Sequence, residues 1–124
     1  MVNFMNTGMF RDSVELFSND EQLKKWLPKI TNYDIHGCYA QTELGHGSDV
    51  QRLETTATFD PETDEFVLNS PTPSSTKWWP GELGRFANYA LVFAKMIIDG
   101  NDYGISPFLV QIRSLETHKW MPGV

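Results

Sequence analysis

The stretch Gln41-Thr42-Glu43-Leu44-Gly45-His46-Gly47-Ser48-Asp49 gathers hydroxyls, glycines and acids into one short segment. Thr42 and Ser48 offer hydroxyl donors, and a loop of this composition also leaves backbone N–H groups unpaired. Gly45 and Gly47 let a backbone come close to a ligand or adopt a positive φ. An electron-rich heterocycle or a phosphate can use such donors. A plain glycine turn between two strands has the same composition. The pattern is a poor dinucleotide fingerprint, because the third glycine is missing and a β-branched strand follows where a helix should begin. A second cluster is Thr76-Lys77-Trp78-Trp79-Pro80-Gly81. Adjacent tryptophans on a strand point to opposite faces, so one can fill a core while the other covers a planar ligand. Packing alone is the commoner use of tryptophan. Pro80-Gly81 fixes a sharp exit, and the bare Gly81 backbone can lie against a ring.

Other reactive side chains form no recognisable constellation. His36, His46 and His118 lack metal-ligand spacing, and His36, Cys38 and His46 together lack further ligands, so no metal is expected. A Gly-x-Ser-x-Gly elbow is absent, which removes the usual serine-hydrolase signature. Glu43 and Glu54 are possible acid–base groups, but the default for both is a solvated or cap-forming carboxylate. Cys38, on an apolar strand, reads as a small buried hydrophobe.

The elements that must position these residues change character near residue 33. Before it the spacing predicts helix. Asp12 or Ser13 caps a short segment through Val14, Leu16 and Phe17. Ser18 or Asn19 then precedes Asp20-Glu21-Gln22, a helix start with acids in its first turn. Leu23, Trp26 and Leu27 recur at helical spacing, and Pro28 is expected to close the segment. From Asp34 onward strands are favoured. Ile35 to Gln41 runs into the glycine loop. Leu53, Thr55, Ala57 and Phe59 alternate with Glu54, Thr56, Thr58 and Asp60. Pro61 to Asp64 then turns the chain, and Glu65 to Asn69 returns as the second arm of a hairpin. Thr76 to Trp79 reads as a short aromatic strand. Tyr89 to Ile98 and Tyr103 to Ile112 flank the turn cluster Asp99-Gly100-Asn101-Asp102, and Pro107 implies an edge or a bulge. The expectation is a mainly β fold: a small, mostly antiparallel β-barrel or sandwich preceded by a short helical segment.

Composition narrows the function. The chain has 124 residues, 40% of them hydrophobic and 13% aromatic, enough for a packed core. Ten basic residues against 16 acidic ones give a formal charge of −6, which argues against a nucleic-acid partner. A single cysteine excludes an internal disulfide framework. Mean hydropathy is −0.36, and no apolar run approaches the roughly 20 residues needed to span a bilayer. Met1 to Phe10 lacks the features of a signal peptide, and Trp120 to Val124 carries no address such as Ser-Lys-Leu.

The run from Gly37 to Val50, with Ala40-Gln41-Thr42-Glu43-Leu44-Gly45-His46-Gly47 at its centre, resembles the flavin loop of acyl-CoA oxidases. It also resembles the wider acyl-CoA dehydrogenase superfamily through Thr42-Glu43 and Gly47-Ser48-Asp49. Leu53 to Pro61, Ser75 to Gly81 and Tyr103-Gly104-Ile105 resemble the oxidase branch in the same order. The likeness runs from about Gly8 to Val124.

That resemblance implies an FAD enzyme of fatty-acid β-oxidation, which converts fatty acyl-CoA to trans-2-enoyl-CoA. It passes the electrons to O2 and gives H2O2, usually in the peroxisome and commonly as a homodimer. Residues 1–32 then correspond to the end of an N-terminal helical domain and 33–124 to most of a middle β domain, cut before its end. Thr42 is similar to the threonine that hydrogen-bonds the isoalloxazine edge. Gly81 is similar to the glycine whose backbone lies against the flavin. Gln41, Gly47, Ser48 and Trp79 are further candidates for that pocket, and Gly47 and Ser48 also for its thioester side. The family's catalytic glutamate lies in a C-terminal helical region outside these residues, so no catalytic residue is expected in the chain and the chain alone is expected to be inactive. Two alternatives carry different expectations: a fragment of an acyl-CoA dehydrogenase, which the His46-Gly47 and Trp78-Trp79-Pro80-Gly81 details disfavour, and a non-catalytic β module that binds a ligand.

Overall fold

A computed structural model describes residues 6–124. The reading of Met1 to Phe10 therefore falls partly outside the described residues. The chain opens with a π-helical turn, Asn6–Phe10, that runs directly into α1 (Arg11–Phe17). The residue before α1 is thus Phe10, which carries no side-chain cap, rather than Asp12 or Ser13. After a break at Ser18, α2 spans Asp20–Thr31. Asn19 caps it as expected: its side chain accepts from the Gln22 N–H at 2.9 Å, and the Gln22 side chain accepts from the Asn19 N–H at 3.0 Å. Pro28 lies inside α2 instead of ending it. The helix continues because one more turn buries Ile30, only 2% exposed, on the stripe begun by Leu23, Trp26 and Leu27. That burial outweighs the hydrogen bond a proline cannot donate.

The strands are β1 (Gly37–Ala40), β2 (Thr56–Asp60), β3 (Glu65–Asn69), β4 (Tyr89–Ile98) and β5 (Asn101–Gln111). They form one sheet in the order β1-β4-β2-β3, with β5 also paired to β4. The fold is mainly β, with two short helices leading in. The expected hairpin forms, with Thr56 opposite Asn69 and Asp60 opposite Glu65 in antiparallel register. β2 also pairs with β4, through Thr56–Lys95 to Thr58–Ile97, and that pairing is parallel. Asp99 and Gly100, both at positive φ, make the two-residue turn from β4 to β5. Pro107 is accommodated within β5. Thr76 to Trp79 does not become a strand: Lys77 makes a single bridge to Glu43, and the chain then turns away.

Two compact units can be distinguished. One comprises the described residues up to Tyr39 together with Pro80–Leu91 and Leu109–Val124. Its core contains Phe10, Val14, Ile30, Ile35, Cys38, Leu91 and Ile112. The edge of the Trp26 ring meets Tyr89 at 5.7 Å between centroids, so α2 finds its packing partner within the chain. Gly37 is required here, because a Cβ at that position would overlap the Phe10 ring. Arg113 is buried and donates to the carbonyls of Ala87, Leu83 and His118, with the Trp120 ring 3.4 Å away. The other unit comprises Ala40–Trp79 and Val92–Phe108. Leu53, Ala57, Phe93 and Ala94 form its apolar centre. No described helix is long and apolar enough to cross a membrane.

Candidate functional site

The second unit holds the donor-rich loop. Residues 42–46 lie alongside residues 74–78 through backbone bonds: the Trp78 N–H donates to Thr42 O, Leu44 N–H to Thr76 O and Gly45 N–H to Ser74 O, each at 2.9 Å. Gly45 is needed for this close approach, since a Cβ there would sit 2.8 Å from the Ser74 side chain. Within the loop, Glu43 and His46 exchange backbone bonds at 3.1 Å.

Glu43 is the polar centre of the arrangement, at 1% exposure. Its carboxylate accepts from the Glu54 N–H at 2.7 Å, the Thr55 N–H at 2.9 Å and the Lys77 ammonium at 3.2 Å. Burial pushes its pKa up, but the bonds from Glu54, Thr55 and Lys77 outweigh it and hold Glu43 below the usual carboxylate range. Lys77 also donates to Gln41 O at 3.0 Å and Phe93 O at 2.6 Å. Burial holds Lys77 below the usual lysine range, opposed by the Glu43 charge. Beside this pair, His46 Nε2 lies 2.8 Å from Glu54, whose other oxygen accepts from the Thr72 hydroxyl at 3.0 Å. Bonds from Ser74 and His46 hold Glu54 below its ordinary value.

The expectation of solvated or capping carboxylates is therefore corrected. Glu43 is interior and Glu54 is engaged, because each meets donors supplied from elsewhere in the chain. Glu43, His46 and Glu54 place ligand atoms within 4.8 Å of one another. Those atoms already serve backbone N–H groups, a lysine ammonium and one another, so the cluster is a hydrogen-bond network with a cation of its own. Burial pushes the Cys38 thiol up to about 12, so it stays protonated near neutral pH.

The residues singled out from sequence occupy distinct settings. Gln41 and Thr42 are half-buried at the root of the loop, and Gly47 and Ser48 are exposed at its tip. Among the described residues the hydroxyls of Thr42 and Ser48 make no hydrogen bond, nor do the N–H groups of Gly47 and Ser48. A Cβ on Gly47 would meet nothing within 4 Å. Trp79 is 78% exposed and Trp78 55%, so neither fills a core. Failure of the strand removes the alternation that would have sent one of them inward. Trp79 also sits at φ 49, a strained setting for an aromatic residue. Gly81 is half-buried at the start of the Gly81–Phe86 turn in the first unit. Sequence reasoning missed Lys77 as a partner of Glu43; the only available signal was a lysine flanked by aromatics on a segment otherwise read as apolar.

The model of the acyl-CoA dehydrogenase middle domain matches residues 38–122. The peroxisomal acyl-coenzyme A oxidase 1 of Arabidopsis thaliana is 54% identical over 120 residues, covering 97% of this chain and 18% of that protein. The human protein of the same name is 48% identical over 129 residues, 20% of its length. The chain thus spans about a fifth of the curated relatives it matches. The crystal structure of an acyl-CoA oxidase from tomato superposes with a TM-score of 0.95 at 57% identity, over 97% of this chain and 18% of that one. Acyl-CoA oxidase-2 of Caenorhabditis elegans, bound with FAD, ascaroside-CoA and ATP, gives a TM-score of 0.93 at 48% identity, over 96% and 18%.

Proposed function

The chain belongs to the acyl-CoA dehydrogenase middle-domain family, and from that premise we propose that it is the flavin- and acyl-CoA-contacting portion of a peroxisomal acyl-CoA oxidase. In this reading residues 1–32 end an N-terminal helical domain and 33–124 belong to the middle β domain. The complete enzyme oxidises fatty acyl-CoA to trans-2-enoyl-CoA and works as a homodimer. FAD, when bound, supplies the hydride acceptor and the route of electrons to O2, giving H2O2.

One observation carries the assignment of the site. The loop presents hydroxyl and N–H donors with no protein acceptor, next to an open, strained Trp79. This donor set fits an isoalloxazine edge, which is electron-rich and gains negative charge on reduction. The Thr42 hydroxyl is assigned to donate to that edge. Gly81 lends a backbone without a side chain, and Trp79 an exposed aromatic face. Gln41, Gly47 and Ser48 complete the polar rim, and Gly47 and Ser48 also serve the thioester. The proton-abstracting carboxylate is assigned outside these residues, which is supported by the engagement of Glu43 and Glu54 with backbone, lysine and histidine donors.

A graft tests the reading. Residues 8–124 replace the matching segment of the Arabidopsis oxidase, and flavin content and H2O2 production with a long acyl-CoA are measured. Retained FAD and turnover are expected, with Thr42→Val lowering turnover about tenfold or more. A folded graft that retains no flavin overturns the assignment. The chain alone, supplied with FAD and acyl-CoA, is expected to give no steady H2O2.

A further inference from the structure

Arg113 is buried at 7% exposure, yet among the described residues no carboxylate pairs with it. Main-chain oxygens satisfy its guanidinium instead. Nε donates to Ala87 O at 3.1 Å, Nη2 to Leu83 O at 3.0 Å and Nη1 to His118 O at 3.3 Å. The Trp120 ring covers the group, with its centroid 3.4 Å from the guanidinium carbon. A buried cation without a counter-charge is costly, and a well-packed apolar side chain in its place is often no less stable. Stability alone is therefore a weak reason for an arginine here, whereas its three bonds have a definite geometric result.

Two of the three oxygens belong to the Gly81–Phe86 turn and to Ala87, which closes it. The third belongs to the segment that follows β5, and all three lie in the first unit. The turn has other restraints. Its N–H groups bond within it, Leu83 to Pro80 O and Arg85, Phe86 and Ala87 to Glu82 O. Asn88, just beyond it, bonds to the His36 main chain through its own N–H and its side chain, and His118 Nε2 donates to Arg85 O at 2.8 Å. The internal bonds give the turn its shape, and Asn88 and His118 hold its later half. Arg113 adds a bond from outside at Leu83, two residues after Gly81. Gly84, Arg85 and Phe86 are exposed, so apolar packing does little for that stretch.

We propose that Arg113 is a positioning residue for this turn: its fork fixes the Leu83 and Ala87 main chain against the His118 main chain, and so sets where the Gly81 backbone lies. What Gly81 is set toward rests on the flavin reading above; the fixing of the turn does not. A planar guanidinium offers five donors in a rigid fork and a flat face for Trp120. A lysine ammonium is a single point with neither the spread nor the face, so it keeps the charge and loses the geometry.

The experiment joins amide hydrogen exchange by NMR on the full chain to flavin measurements on the graft described above. It compares the unmodified sequence with Arg113→Met and Arg113→Lys; should Arg113→Met fail to fold, Arg113→Lys decides. The amides of Leu83, Arg85 and Ala87 should exchange about tenfold faster or more, while the β2–β3 amides keep their rates. Unchanged rates at those three amides in Arg113→Lys overturn the proposal, because any cation would then serve. Uniform acceleration across the chain in Arg113→Lys also overturns it, and would mark Arg113 as a general stabiliser. In the graft, Arg113→Lys should keep FAD but shift the absorbance of the bound flavin and lower kcat about tenfold, with little change in KM. A loosened turn with unaltered flavin absorbance and kcat overturns the setting of Gly81 while the flavin reading stands. If the unmodified graft itself holds no flavin, the flavin reading fails, and the exchange rates alone decide whether Arg113 fixes the turn.

Discussion

The β2–β3 hairpin and the Gln41–Asp49 loop belong to the same compact unit, yet different interactions hold them. The hairpin is held by a backbone ladder and by rings in series, with Phe59 to Phe66 at 5.3 Å and Phe66 to Phe108 at 5.2 Å between centroids. The loop has backbone bonds to residues 74–78 and, with them, one buried carboxylate paired with one lysine. Apolar contacts are individually weak and many, so losing one atom is graded in effect. A buried ion pair has two members, and losing either leaves an uncompensated charge. The loop should therefore fail abruptly and the hairpin gradually.

The largest expected effect follows directly. Lys77→Met should destabilise the chain by roughly 3 kcal/mol, because Glu43 then remains buried and unpaired. Adding Glu43→Gln should recover part of the loss. A urea-denaturation cycle over the two singles and the double measures this; strict additivity would mean that the pair does not interact. On the apolar side, Leu53→Ala removes a side chain with 0% exposure and should cost about 2–3 kcal/mol, somewhat less than the lysine change. A reversed order would contradict the contrast.

The same comparison has a pH form. Glu43 titrates below its ordinary value of 4.5 in the folded chain. Its contribution to stability is thus complete above about pH 4.5 and is lost as the pH falls through the folded pKa. Stability measured from pH 6 down to 3 should fall more steeply in the unmodified chain than in Glu43→Gln. Parallel curves would show that Glu43 is not the group responsible.

The contrast also explains what could be read from residues in order. The hairpin was legible because alternation from Leu53 to Asp60 and the Pro61–Asp64 turn are local signals. Asn19 and Gln22 were legible as a helix start for the same reason. The extent of α2 past Pro28 was not, because the burial of Ile30 depends on tertiary packing. The Glu43–Lys77 pair joins residues 34 apart, and no periodicity announces it. Thr76 to Trp79 looked like a strand because aromatic residues favour strands, but the backbone there follows the loop it bonds to. As proposed flavin contacts, Thr42 and Gly81 were reached through family likeness and local chemistry. The network beneath Thr42 needed the fold.

The smallest effects concern backbone strain, and here the two regions make a matched pair. Asp64, in the hairpin turn, has φ 56, and Trp79, at the end of the loop ladder, has φ 49. A left-handed conformation costs a non-glycine residue roughly 1–2 kcal/mol, less for Asp, whose short polar side chain tolerates it. Trp79→Gly should therefore stabilise the chain by about 1 kcal/mol, since an indole that is 78% exposed has little packing to lose. Asp64→Gly should gain only about 0.5 kcal/mol, because added freedom in the unfolded chain offsets most of the relief. The two should separate when flavin retention is measured in the grafted enzyme. Asp64→Gly should leave it unchanged, while Trp79→Gly should weaken it, because strain kept where glycine would be more stable marks a side chain retained for something other than folding. If Trp79→Gly is more stable and holds flavin as well as the unmodified graft, the exposed indole has no part in the site.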